Sequence, residues 1–147
     1  FSATIRVPSN NVGQRVSTVR VSGQDPNVWI DIVITQATAT FTVAYRAGNY
    51  ISSVQPTTQT VNYGGTAASV ATVQAEDTNY RYEFDGWYEG NMKVSSSQNC
   101  TFTVSAARSL RAKILYLDVT PTSLDFGAGG GSETLTVSTN VDSWTVS

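Results

Sequence analysis

Apolar and polar positions alternate along nearly the whole chain, and the 3.6-residue rhythm of an amphipathic helix is almost absent. "ATIRV" (3–7) sets Ile5 and Val7 against Thr4 and Arg6, and "VSTVRV" (16–21) follows a turn, "PSNNVGQ", rich in Pro, Asn and Gly. "VWIDIVITQ" (28–36) places Ile30, Ile32 and Ile34 on one face and Trp29, Asp31 and Val33 on the other. These three segments predict a strand meander. "ATATFTVAYRAG" (37–48) then opens a new unit with Phe41, Val43 and Tyr45 on a single face, and "QTVNYGGTA" (59–67) predicts a strand ending in a Gly64-Gly65 turn. "SVATVQA" (69–75), "YRYEF" (80–84), "CTFTVSA" (100–106) and "SLRAKILY" (109–116) continue it as strands, with "KVSSSQN" (93–99) read as a polar loop. From residue 117 a third pattern begins. Leu124 and Phe126 precede glycines at 127–131, and Leu135 and Val137 then alternate with threonines, about three further strands around a plain hairpin turn. No lysine follows those glycines and a strand follows them instead of a helix, which argues against a phosphate cradle.

Within "YEFDGWYEG" (82–90) alternation groups Tyr80, Tyr82 and Phe84 on one strand face, and Asp85-Gly86 reads as a turn or bulge that swings Trp87 back over the core. An aromatic side chain removes on the order of 150–250 Å² from water when buried, area that a small β-module needs. Tyr88 falls on the opposite face, with Glu89 beside it, and both are candidate surface contacts. Trp29 is a rim residue, a platform for a sugar ring or a contact for another half-module; Trp144 is core if its segment completes a sandwich. If the two ends do not pair, both tryptophans are exposed.

Composition removes whole classes of chemistry. The chain has no histidine and one cysteine, Cys100, so His-based acid–base work, His metal ligation and internal disulfides are excluded. Cys100 reads as a small buried strand residue. Charged residues make up 14 % with a net charge of −2, and no basic stripe exists to neutralise phosphates, so nucleic acid is not an expected partner. Apolar runs are too short to span a bilayer as a helix. Glu83 with Asp85, or Asp85 with Glu89, lacks the cleft and the raised pKa of a glycosidase pair. "EDTN" (76–79) and "DVTPTSLD" (118–125) lack dense calcium-ligand spacing and read as solvated turns. No catalytic residue, cofactor or metal is expected. The chain starts at Phe1, which suggests a fragment or processed piece of a longer protein.

Two resemblances follow. The "VTPTSLDF" opening, the glycine turn, "ETLTVST" and the Trp of "DSWTVS" make 117–147 resemble the first half of a BACON domain. The asparagine turn, Arg15, "STVRV" and the terminal "ITQ" make 1–37 resemble its last half. "FTVAYRAG", "VNYGGTA", "YEFDGWY" and "SLRAKI" make 38–116 similar to an InlB B-repeat-like module. The resemblance implies an all-β protein, with immunoglobulin-like sandwich halves flanking a small β-grasp-like sheet. It further implies a non-catalytic module of a Bacteroidetes-type cell surface or secreted system, with a spacer or adhesion role and carbohydrate or mucin as partner. The alternatives are a structural repeat that self-associates by pairing half-domains, within or between chains, and an accessory segment of a glycan-degrading enzyme.

Overall fold

The computed structural model describes residues 2–76 and 80–147, so Asp77, Thr78 and Asn79 of the "EDTN" segment lie outside it. The chain is an all-β protein of several sheets, with no helix among the described residues. It divides into two compact units, one formed by residues 1–43, 59–67 and 102–108 and the other by 44–58, 68–101 and 109–147.

The first unit carries the antiparallel ribbon of β1 (Arg15–Ser22) and β2 (Trp29–Gln36), a two-stranded sheet of its own. The "SGQDPN" link turns as its residues require: Val28 N–H donates to the Asp25 carbonyl across Pro26, and Asn27 N–H to the Asp25 carboxylate. Residues 3–7, expected as a third strand, form none. Their alternation fits a half-covered sheet face, but Ile5 and Val7 stay exposed and no neighbouring apolar surface rewards pairing. The chain that follows, residues 8–13, is fastened by amides. Asn10 donates to the Gly13 and Ala37 carbonyls, and Gln36 donates to the Pro8 carbonyl. Val43, Ala67 and Val104 are the unit's fully buried residues.

In the second unit, β10 (Arg108–Thr120) is the spine. One edge pairs with β7 (Tyr80–Glu89), and β8 (Met92–Ser95) extends the sheet beyond it. Along its other edge β10 neighbours first β3 (Thr40–Arg46) and then, from Leu117, β11 (Thr136–Thr139). A three-stranded sheet, in the order β4 (Ile51–Gln55), β6 (Thr66–Val73), β9 (Asn99–Thr103), supplies the rest of the core. Tyr45, Trp87, Leu110, Ala112 and Ile114 from one sheet and Ile51, Val54, Ala71 and Cys100 from the other are buried. Ser69, buried among them, is satisfied by donating to the Pro56 carbonyl. In the first unit, β5 (Thr58–Asn62) leads into the expected Gly64-Gly65 turn, closed by Gly65 N–H on the Asn62 carbonyl.

Two further expectations are corrected. Part of the 93–99 loop is strand β8, because "EGNM" closes a tight hairpin in which Glu89 faces Met92. Gly90 has φ 59°, the left-handed conformation that the first loop position of a type II′ hairpin turn reserves for glycine. After residue 117 the described residues hold one strand of their own, β11, together with the end of β10. The glycines do turn the chain, with Gly130 N–H on the Gly127 carbonyl, but inside the long connection 121–135 and not between paired strands. With Phe126 and Leu135 exposed, that connection lacks the covered face that sustains a ladder.

Candidate functional site

The inward face of β7 and β10 runs from core to surface in register. Trp87 lies opposite Ala112, Phe84 opposite Ile114, Tyr82 opposite Tyr116 and Tyr80 opposite Asp118. β10 shifts by one residue between Lys113 and Ile114, where Phe84 and Gly86 oppose consecutive residues, so Asp85 is the extra residue of a β-bulge. That bulge keeps both Phe84 and Trp87 on the core side despite their odd spacing. Trp87 is fully buried, edge-on to Tyr45 and Phe84 (centroids 5.6 and 6.5 Å), and its indole N–H donates to the Gln98 carbonyl.

Beyond Ile114 the face stays aromatic but opens to solvent. Tyr50 stacks on Tyr82 at 4.8 Å and tilts against Tyr116 at 5.4 Å, and Tyr82 stacks on Tyr80 at 6.1 Å. All four rings are half-buried. Tyr116 borders two grooves, one of about 230 Å³ with Asn49, Tyr50, Arg111 and Lys113, the other of about 290 Å³ with Glu76, Arg81, Tyr82 and Glu83. Glu76 accepts the Tyr82 backbone N–H at 3.0 Å and lies 4.0 Å from the Arg81 guanidinium.

On the outer face, the Asp85 side chain projects from the bulge to a polar cluster. It accepts the Tyr88 hydroxyl at 2.7 Å and the Lys93 ammonium. Burial pushes the Asp85 carboxyl upward, but hydrogen bonds from Lys93 and Tyr88 and the charge of Lys113 outweigh it and hold it below the ordinary carboxylate range. A carboxylate held ionised in this way is not the protonated acid that a glycosidase pair needs. The Asp85 hydrogen bond and burial raise the Tyr88 phenol, and hydrogen bonds to Asp85 and Tyr88 raise the Lys93 ammonium. Two ammonium groups approach the Tyr88 ring, Lys113 at 4.3 Å and Lys93 at 5.5 Å from its centroid.

The residues singled out from the sequence are thus dispersed. Tyr88 and Glu89 are consecutive in β7, both half-buried, and the pleat directs them to opposite faces. Trp29 belongs to the first unit, 50 % exposed, with the Arg20 guanidinium 3.8 Å above its ring and clamped to Asp31 by two bonds of 2.7 and 2.8 Å. Trp144 is 52 % exposed and is not core. Tyr50 and Asn140, which help shape the smaller groove, carried no motif, and Arg111, Lys113 and Tyr116 were read only as part of the strand "SLRAKILY". A faint signal existed in "AGNY", where Gly and Asn mark a turn that places a tyrosine at the end of a strand link.

Fold and site together define an all-β protein with a half-exposed aromatic surface. No family model, curated protein or solved structure matches the chain.

Proposed function

We propose that the chain is a non-catalytic module of an extracellular or cell-surface protein that spaces or attaches, making contact with carbohydrate or mucin through its aromatic surface. The observation that carries this reading is the tyrosine set Tyr50, Tyr80, Tyr82 and Tyr116. Rings serving only as core plugs would be buried as Trp87 is, whereas these four are half-buried, and Tyr50, Tyr82 and Tyr116 border two grooves. A pyranose presents a flat C–H face that matches the electron-rich face of a tyrosine, and the surrounding Asn, Arg and Glu side chains offer partners to its hydroxyls. Trp29, half-exposed beneath Arg20, and Tyr88, half-buried beside Lys93 and Lys113, are two further candidate rings in this reading. In this reading 1–37 and 117–147 correspond to BACON-like, immunoglobulin-like halves and 38–116 to a β-grasp-like InlB-type repeat. The test is calorimetric titration with mucin and plant glycans. Heat with at least one of them, lost in Tyr116→Ala and in Tyr82→Ala, is expected; no heat with any of them overturns the reading.

A second reading, assembly through the chain's own strands, is favoured by one observation. The β1–β2 ribbon exposes apolar side chains on both faces, Val21 and Ile30 on one and Val16 and Val33 on the other. Paired strands alone are marginal in water, and exposed apolar sheet surface is a template for further strands.

A further inference from the structure

Along one edge of β10, β3 departs before β11 joins at Leu117, which leaves part of that edge without a strand. Asn140 bridges it with its side chain, whose amide donates to the Ile114 carbonyl at 2.7 Å and accepts the Tyr116 N–H at 2.9 Å. The backbone is satisfied there, yet the space a strand would fill remains as the groove of about 230 Å³. Its walls have three chemistries. Tyr50 and Tyr116 give aromatic rings, Asn49 and Asn140 give amides, and Arg111 and Lys113, two apart on β10 and so together on the strand face opposite to that of Tyr116, border this open edge with cations. No carboxylate lines it, and among the described residues neither Arg111 nor Lys113 forms an ion pair. The Lys113 ammonium also stands 4.3 Å from the Tyr88 ring and helps to hold down the Asp85 carboxyl, which is bound by Lys93 and Tyr88.

Tyr50 is held at φ 58°, a left-handed conformation that a bulky residue adopts only under constraint, and it is the one non-glycine residue with positive φ among those described. Gly48, two residues earlier, leaves no room for a Cβ against the Ala112 carbonyl, so the turn is pressed onto β10. Strain of this kind places a ring at a groove instead of in a core.

We infer that this interrupted edge of β10 is a binding slot for an acidic saccharide, with a sugar ring on Tyr50 and Tyr116 and its carboxylate or sulfate between Arg111 and Lys113. The inference rests on the glycan reading above and names its ligand class. The volume lies below the roughly 300–1,000 Å³ of ordinary small-molecule pockets, which suits one terminal sugar unit and not an oligosaccharide.

The experiment is a chemical-shift titration of the full chain with lactose, sialyllactose and sulfated lactose. Both acidic sugars, or one of them, are expected to bind at least about tenfold more tightly than lactose, as charge-assisted hydrogen bonds allow. The arm that binds distinguishes carboxylate from sulfate. Arg111→Gln combined with Lys113→Gln is expected to reduce the acidic sugar to the affinity of lactose while leaving the thermal midpoint nearly unchanged. Tyr50→Gly, which relieves the backbone strain, is expected to retain the fold and lose the sugar. Equal binding of all three sugars overturns the acidic slot but leaves the glycan reading standing. Binding of none, with glycans also silent in calorimetry, overturns both.

Discussion

At the scale of single residues, Trp87 and Asp85 sit two positions apart and serve opposite faces of one strand. Trp87 has no exposed surface, and its only polar atom is matched by the Gln98 carbonyl. Trp87→Ala therefore removes packing on Tyr45 and Phe84 and one of the hydrogen bonds to that carbonyl, which also accepts the Ala71 N–H; a loss of about 3–5 kcal/mol in a denaturant titration is expected. Trp87→Phe should cost clearly less, since it keeps most of the ring volume. Asp85 acts through charge. Its carboxyl is held below the ordinary aspartate range in the folded chain, so its contribution is present above that range and is lost as pH falls through the folded value. The stability gap between the native chain and Asp85→Asn should be constant near neutrality and shrink in acid below about pH 4. A gap that widens in acid would reverse the sign and refute the account. Both roles were partly legible in "FDGWYEG", because alternation fails there by one residue and Asp-Gly marks where it fails. The partners of Asp85 were not legible, because Lys93 and Lys113 reach it only through strand pairings that the local sequence does not encode.

At the scale of elements, the strands easiest to read were those with one face covered. β3 alternates Thr, Phe, Thr, Val, Ala, Tyr, Arg and buries Val43 and Tyr45 as that pattern requires. β2 alternates as cleanely in sequence but covers neither face, so periodicity revealed its strand character and not its burial. The 3–7 segment shows the same limit taken further, since alternation without a partner surface yields no ladder. β8 was missed for the converse reason. Its serines and lysine look like loop, but Gly90-Asn91 makes a two-residue hairpin that forces Met92–Ser95 alongside β7. Two glycines of this hairpin should respond differently to alanine. At Gly90 a Cβ meets nothing within 4 Å, so only the left-handed backbone is penalised, by about 1–2 kcal/mol. At Gly86 the Cβ would stand 2.5 Å from the Ser95 carbonyl oxygen of β8, so pairing itself must yield. Gly86→Ala is expected to lower the thermal midpoint more than Gly90→Ala and to raise hydrogen exchange along β8; equal effects would show that the close approach is not what Gly86 serves.

At the scale of the whole molecule, the unevenness of burial sets the behaviour in solution. The second unit draws its core from two sheets, whereas the β1–β2 ribbon of the first is nearly all exposed, Ile30 at 63 % and Val33 at 65 %. Apolar surface on both faces of a ribbon gains roughly 25 cal/mol for each Å² removed from water, and strand edges add hydrogen bonds as they pair. Self-association that rises with protein concentration is therefore expected in sedimentation experiments. The Arg20–Asp31 clamp stiffens one face, but both side chains are solvated, so the effect of salt on association should be small beside that of apolar substitution. Val33→Lys places a charge on that face opposite Thr18 and should hold the chain monomeric with its thermal midpoint essentially unchanged. Tyr50→Gly, in the other unit, should leave association untouched. A chain that stays monomeric at every concentration tested would remove the assembly reading and leave the glycan reading to account for the surface. Association abolished by Tyr50→Gly but not by Val33→Lys would assign the tyrosine groove, and not the ribbon, to the contact between copies.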